Sequence, residues 1–126
     1  MKKILIIEDE TDLLEVLADR LAFEGFGPIK CKNGENGLLV AFRERPDLIL
    51  LDIVMPGLDG LQVLKKLRAD DWGKGVPVII LTNLSATDEK IVKSILEYRP
   101  IFYLVKSDWK IDDVVKKVKE VLGIGN

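Results

Sequence analysis

Three carboxylates, one hydroxyl and one amine stand at the ends of short apolar segments of the sequence. They are Glu8, Asp9, Asp52, Thr82 and Lys106. The segments have the length and the branched side chains expected of strands that are buried on both faces. Because parallel strands present their carboxyl ends at one edge of a sheet, where such sheets bind ligands, we expect the five side chains to meet there.

These residue types together predict a site for a phosphoryl group. Three neighbouring carboxylates repel one another unless one keeps a proton or a cation neutralises them, and oxygen ligands in a small open site suit Mg²⁺. Lys106 could offset charge on the phosphoryl oxygens, and Thr82 could donate a hydrogen bond to them. Asp52 could then attack phosphorus and form an acyl phosphate, as carboxylate nucleophiles do.

Each residue also has a plain structural explanation. Acids such as Glu8 and Asp9 often precede a helix because they suit its positive end. Asp52 could simply end its strand, and Thr82 could bond only to the backbone. An isolated lysine such as Lys106 is usually solvated. Their joint occurrence at the ends of four predicted strands is much rarer, and it favours the functional interpretation.

Five strand–helix units are predicted to position these groups. The strands are predicted at Lys3–Ile7, Ile29–Lys32, Leu48–Leu51, Val78–Leu81 and Ile101–Val105. Apolar residues at helical spacing follow each strand, and right-handed crossovers would place helices on both faces of a parallel sheet. The predicted fold is therefore α/β, with three α/β/α layers and the second strand at an edge of the sheet.

Local signals predict where the helices begin and end. The predicted caps are Thr11 or Asp12 for the first helix, Ser85 with Asp88 for the fourth, and Ser107 or Asp108 for the fifth. Gly25 is predicted to end the first helix as a left-handed cap, and Gly123 to stop the fifth. The fourth helix is predicted to carry an apolar stripe of Ile91, Val92, Ile95 and Leu96.

Composition excludes several classes of function. The 126 residues suit one domain, 1–126, and the formal net charge of -2 with no basic run indicates neither nucleic acid nor anionic membrane as a partner. No apolar run approaches the roughly 20 residues that span a bilayer, and the first is too short for a signal peptide. Cys31 stands alone and histidine is absent, which excludes an internal disulfide and histidine-based triads. A cytoplasmic protein is expected.

The sequence resembles the receiver domains of response regulators, the CheY-like superfamily, over essentially its whole length. The matching motifs are Ile-Leu-Ile-Ile-Glu8-Asp9-Glu, Leu-Leu-Asp52-Ile-Val-Met-Pro-Gly-Leu-Asp-Gly60, Val-Pro-Val-Ile-Ile-Leu-Thr82 and Tyr103-Leu-Val-Lys106. The resemblance implies a flavodoxin-like (βα)5 fold with the strand order 2-1-3-4-5. It also implies that Asp52 is the phospho-acceptor. Mg²⁺ would be bound by Asp9 directly, by Glu8 through water, by Asp52 and by the carbonyl of Val54.

The resemblance further implies a switch. Lys106 would pair with the phosphoryl group, Thr82 would move to bond it, and Tyr103 would respond as the switching aromatic. A sensor histidine kinase or a phosphotransfer protein would donate the group. The chain would catalyse its own phosphorylation and dephosphorylation rather than turn over small substrates. The face made by the fourth helix, the fifth strand and the fifth helix would then bind an unknown downstream protein.

Three positions depart from the family pattern. Ser107 replaces the usual proline after the lysine, and since a cis non-proline bond costs roughly 2.5–4 kcal/mol, we expect a trans bond and a shifted loop. Asn83 stands beside the switch threonine in place of Ala or Gly, and could slow phosphate hydrolysis by restricting water. Glu97-Tyr-Arg-Pro100 replaces the small residues usual before the fifth strand, which alters the output face.

Two other functions remain open. A pseudo-receiver would use the same fold as a constitutive binding module without phosphorylation, although the complete set of acids, threonine and lysine argues against it. A hydrolase of the haloacid dehalogenase type also uses a strand-end aspartate, but it needs a second acid two residues later, where Val54 stands. The chain is expected to be either a stand-alone protein or a piece of a longer regulator.

Overall fold

Ten elements alternate between strand and helix over the residues that the structure describes. A computed structural model describes residues 1–82, 89–106 and 108–124. The strands are β1 (Lys3–Ile7), β2 (Gly27–Cys31), β3 (Leu48–Leu51), β4 (Val78–Thr82) and β5 (Phe102–Val105). The helices are α1 (Thr11–Phe23), α2 (Gly34–Glu44), α3 (Gly60–Arg68), α4 (Glu89–Glu97) and α5 (Ile111–Val121). The predicted alternation of strands and helices is confirmed.

The sheet places the residues that follow β1 and β3 side by side. Its strands are all parallel and lie in the order β2-β1-β3-β4-β5, which confirms the predicted topology and the edge position of β2. Ile7 is paired with Leu51 across β1 and β3, and Thr82 with Val105 across β4 and β5. The acids after β1 therefore emerge next to Asp52, and Lys106 emerges next to the end of β4.

The core consists of two apolar layers, one on each face of the sheet. Successive residues of a strand point to opposite faces, so Ile4 and Ile6 pack with α1 and α5, whereas Leu5 and Ile7 pack with α2, α3 and α4. All four side chains are buried. Burial on both faces explains why the central strands read as continuous apolar runs rather than as an alternating pattern.

The first helix begins one residue earlier than its predicted cap. Its N-cap is Glu10, whose carbonyl accepts a hydrogen bond from the N–H of Leu14 at 3.0 Å, so the prediction of Thr11 or Asp12 is wrong. The N–H of Glu10 donates to Oε2 of Glu8 at 3.0 Å. A local contact between neighbouring residues after β1 thus fixes the backbone at the start of α1.

The fifth helix begins later than predicted. Its N-cap is Lys110, so the prediction of Asp108 is wrong. The N–H of Lys110 donates to Oδ2 of Asp113 at 2.7 Å, so the carboxylate that accepts at the cap belongs to the first turn of the helix. The alternative, Ser107, lies outside the described residues, as do Ser85 and Asp88 of the predicted capping box.

Other boundaries differ by a residue or two. β2 begins at Gly27 rather than Ile29, and β5 begins at Phe102 rather than Ile101. In the predicted stripe of α4, Ile95 is fully buried but Leu96 is 51% exposed, because neighbouring helical positions point about 100° apart. Gly25 and Gly123 have left-handed backbones one residue beyond the C-caps of α1 and α5, and the prediction that they end these helices is confirmed. Among the described helices, none combines the length and apolarity needed to cross a membrane.

Candidate functional site

Carboxylates from the ends of two adjacent strands meet at the carboxyl edge of the sheet. Glu8 and Asp9 follow β1 and Asp52 follows β3, and one oxygen from each lies within 4.8 Å of the others. The side chains of Glu8 and Asp52 are only 2% and 3% exposed. Most of the negative charge is thus removed from water, which makes the repulsion between these acids strong.

Lys106 brings the only ammonium group that the described ion pairs place in this cluster. Its Nζ lies 2.8 Å from Oε1 of Glu8 and 3.6 Å from Oδ2 of Asp52, and its side chain is 9% exposed. The backbone N–H of Lys106 donates to the carbonyl of Thr82 at 2.7 Å, which holds the backbone of Lys106 beside the end of β4. One positive charge therefore faces at least three negative ones.

This imbalance changes the protonation of both partners. Burial, followed by repulsion from Glu8, raises the pKa of Asp52 to about 7, although Lys106 and the N–H of Val54 act in the opposite direction. Burial alone would lower the pKa of Lys106, but its contact with Glu8 and the charges of Asp52 and Glu10 raise it. The ammonium therefore stays charged, whereas the raised pKa of Asp52 lets its carboxyl group take up a proton near neutral pH.

A glycine allows α3 to approach Asp52. The N–H of Gly60 donates to the carbonyl of Ile53 at 3.0 Å, and a Cβ on Gly60 would lie 2.0 Å from the carbonyl oxygen of Asp52. No side chain fits there without moving the backbone that carries the acid. Asp59 and Gln62 form a capping box that begins the helix at this point. Gly60 was not predicted to have a role, although the Asp-Gly pair before a helix was a signal for it.

Val54 and Thr82 flank the cluster. The N–H of Val54 lies 3.4 Å from Oδ1 of Asp52, while its side chain is 53% exposed. Thr82 is fully buried at the end of β4. The structure thus brings Glu8, Asp9, Asp52, Val54, Thr82 and Lys106 to one edge of the sheet.

Tyr103 lies farther back along β5. It is paired with Ile80 and is partly buried against the core layer that contains Ile95 of α4. Its ring therefore packs on the face of the sheet that α4 covers. Asn83 and Ser107, which carry the expectations about phosphate hydrolysis and the peptide bond after the lysine, lie outside the described residues.

Glu10 also belongs to the cluster, although it was not among the predicted site residues. Its Oε1 lies 3.4 Å from Nζ of Lys106. The run of three acids, Glu8 to Glu10, was the signal available in the sequence. The run alone could not distinguish a third site acid from a solvated residue at the start of a helix.

The donor set fits a hard divalent cation. It consists of oxygen atoms only, which Mg²⁺ prefers, and its negative charge exceeds that of Lys106. Oε1 of Glu8 is buried and accepts no hydrogen bond of acceptable geometry from the described residues, despite the nearby ammonium. Lone pairs are thus available to a cation at a point from which water is nearly excluded.

Comparison with known proteins identifies relatives of the chain. The family model for the response regulator receiver domain matches residues 4–119. The chain is 39% identical over 105 residues to the probable transcriptional regulator ycf27 of Porphyridium aerugineum. The match covers 83% of this chain and 42% of that protein, so the chain spans less than half the length of this relative.

Two solved structures are similar in fold and sequence. The response regulator protein TrrA from Thermotoga maritima, in complex with Mg²⁺–BeF, is 33% identical with a TM-score of 0.82, covering 96% of this chain and 99% of that chain. The receiver domain of sensor histidine kinase PA1611 from Pseudomonas aeruginosa PAO1 has a magnesium ion coordinated in its active site cleft. It is 27% identical with a TM-score of 0.85, covering 97% of this chain and 98% of that chain.

Proposed function

The chain belongs to the response regulator receiver domain family of two-component systems, and on that premise we propose that Asp52 accepts a phosphoryl group. The observation that carries the proposal is the burial of Asp52 within one cluster with Glu8, Asp9 and Lys106. Buried like charges are unfavourable for folding, and a site that keeps them is suited to a ligand that relieves them.

Each residue has a definite task in the proposed reaction. Glu8, Asp9, Asp52 and the carbonyl of Val54 would hold Mg²⁺, which would supply positive charge to the phosphoryl oxygens. A carboxylate oxygen of Asp52 attacks phosphorus, the phosphorus–nitrogen bond of a phosphohistidine breaks, and the electron pair leaves with the imidazole. Lys106 offsets negative charge on the transferred group, and the hydroxyl of Thr82 donates to one of its oxygens.

The same residues connect the phosphate to a distant surface. The backbone bond from Lys106 to Thr82 ties the end of β5 to the end of β4, so movement of either residue is transmitted to the other strand. Tyr103 lies on β5, three residues before Lys106, where it is paired with Ile80. Its side chain packs in the core layer that contains Ile95 of α4. We infer that phosphorylation moves Thr82 and Tyr103 and favours one state of the face formed by α4, β5 and α5. Such a shift requires the phosphoryl group to bind one state more tightly than the other.

The proposed partners follow from the reaction. The donor is the phosphohistidine of a sensor histidine kinase or of a phosphotransfer protein, and a downstream protein reads the α4–β5–α5 face. We further propose that residues 1–126 form one receiver domain, which the match over residues 4–119 supports.

Labelling by a small phosphodonor tests the proposal. The protein is incubated with acetyl phosphate and Mg²⁺, and its intact mass is measured. Wild type is expected to gain one phosphoryl group, and Asp52→Asn none, because the amide is not a nucleophile. Asp19→Asn is a matched control, since Asp19 lies exposed on α1, and it should label like wild type.

Three outcomes would contradict the proposal. If wild type gains no mass, the chain is a constitutive binding module with a receiver fold. If Asp52→Asn labels like wild type, the acceptor is another residue. If chelation of Mg²⁺ leaves the labelling unchanged, the metal has no part in the reaction.

A further inference from the structure

Glu10 is a side chain of the cluster that the proposed reaction does not use. Its Oε1 lies 3.4 Å from Nζ of Lys106, and its side chain is 53% exposed. The same ammonium lies 2.8 Å from Glu8 and 3.6 Å from Asp52. Lys106 is thus shared among three carboxylates, and only that of Glu10 approaches it from the solvent side.

The backbone holds Glu10 in this position. Its N–H donates to Oε2 of Glu8, and its carbonyl accepts the first hydrogen bond of α1 from Leu14, each at 3.0 Å. A carboxylate at an N-cap usually accepts hydrogen bonds from the helix, yet the side chain of Glu10 makes no such bond. The carboxylate contacts Lys106 instead, across 96 positions of the sequence.

We propose that Glu10 is a positioning residue that holds Lys106 in the unphosphorylated protein and competes with the phosphoryl group for it. This inference rests on the proposed function, because it takes Lys106 as the partner of the phosphoryl group. To pair with that group, the ammonium must weaken its contacts with Glu8 and Glu10. Every contact made only in the unphosphorylated state shifts the equilibrium away from the phosphorylated one.

Glu10 is the partner that can be removed without disturbing the proposed metal ligands. Glu8 is buried and belongs to that set, so a change there would alter two functions together. Glu10→Gln keeps the length of the side chain and the backbone bonds at the N-cap while it removes the charge. The variant therefore isolates the competition for Lys106.

The experiment measures the affinity for beryllofluoride at saturating Mg²⁺ by titration calorimetry. The Mg²⁺–BeF complex of the Thermotoga maritima relative makes this anion an appropriate probe. Glu10→Gln is expected to bind it about two- to five-fold more tightly than wild type, which is the size expected for loss of a partly exposed ion pair. Glu15→Gln, which removes a half-exposed acid of α1 that pairs with Lys30 of β2, should bind like wild type.

A double-mutant cycle separates competition for Lys106 from a general effect of charge. In a Lys106→Met background, Glu10→Gln is expected to leave the affinity unchanged, because the shared partner is gone. If the tightening persists there, Glu10 acts on the anion directly and the inference is overturned.

The outcome for wild type distinguishes this inference from the proposed function. If wild type binds beryllofluoride and Glu10→Gln binds it equally well or more weakly, Glu10 is no competitor and the proposed function stands. If wild type does not bind beryllofluoride at saturating Mg²⁺, both the proposed function and the role of Glu10 are overturned.

Discussion

Two buried charges lie at opposite edges of the sheet, and their surroundings differ in kind. Asp52, at the carboxyl edge, faces other carboxylates and one shared ammonium. Arg68, at the end of α3 near the amino edge, is 9% exposed, and the acceptors that it has among the described residues are backbone carbonyls. These acceptors are Gly73 at 2.6 Å, Val76 at 2.8 Å, Tyr98 at 2.8 Å and Arg99 at 3.1 Å.

The two environments show how a buried charge can serve either the fold or a ligand. Burial, followed by the nearby charge of Arg99, lowers the pKa of Arg68, but a guanidinium remains protonated in proteins, and here each of its three nitrogens donates to a neutral acceptor. The group joins the connection between α3 and β4 to the connection between α4 and β5. Around Asp52, in contrast, the charges do not balance, and the repulsion is available to be relieved by a cation.

The largest expected effect is the loss of stability in Arg68→Ala. The substitution leaves four carbonyls without their donor, and breaking a buried charged network of this kind costs about 3–5 kcal/mol. Chemical denaturation measures the change. Arg43→Ala is the matched control, because Arg43 is 70% exposed and should change stability by less than about 0.5 kcal/mol.

Arg68→Lys provides a second test if Arg68→Ala does not fold. Lysine keeps the charge but lacks the planar fork, so a smaller loss of stability than in Arg68→Ala is expected. Equal stability of wild type and Arg68→Lys would show that the charge, rather than the set of hydrogen bonds to the two connections, is what this site requires.

The next effect is the response of the carboxyl edge to Mg²⁺. A cation bound only by the folded protein stabilises it by about 2.7 kcal/mol when present at 100 times its Kd. Denaturation with and without Mg²⁺ should show this increment in wild type and in Asp19→Asn, but not in Asp9→Asn, which lacks a proposed ligand. If Mg²⁺ stabilises Asp9→Asn as much as wild type, the acids at the carboxyl edge are not where the cation binds.

The third effect, which appears only as the pH rises, is a gain of stability in metal-free Asp52→Asn. The pKa of Asp52 is raised from 3.8 to about 7 on folding, so the folded protein holds a proton that the unfolded chain has lost between those values. The contribution of Asp52 to stability therefore falls as the pH rises from about 4 to about 7. Asparagine does not titrate, and a pKa raised from 3.8 to about 7 corresponds to at most about 4 kcal/mol, so the variant should exceed wild type by up to about 4 kcal/mol near pH 8 and come close to it near pH 4.

Denaturation curves across this pH range, with EDTA present, provide the measurement. Asp19→Asn should follow the wild-type curve, since Asp19 is exposed. A constant difference between Asp52→Asn and wild type at all pH values would mean that Asp52 does not change its protonation on folding. In that case the carboxyl edge would hold no unrelieved charge.

Glu10 and Arg68 show where sequence reasoning ended. An acid at the start of a helix and an arginine near the end of one are usually solvated, and nothing in their neighbours along the chain indicates otherwise. Glu10 meets Lys106 across 96 positions, and Arg68 meets Tyr98 across 30. Such contacts depend on which strands and connections become neighbours, which a local pattern does not specify.

The sequence by itself determined the α/β class, the five units and the strand ends at which the chemical groups stand. It could do so because strand and helix periodicities are local, and because parallel strands must share one edge for their carboxyl ends. The tertiary structure alone decided the exposure of Leu96, the sharing of Lys106 among three acids and the burial of Arg68. These features depend on distances between segments remote in the chain, and burial then decides whether a charge is solvated, paired or left for a ligand.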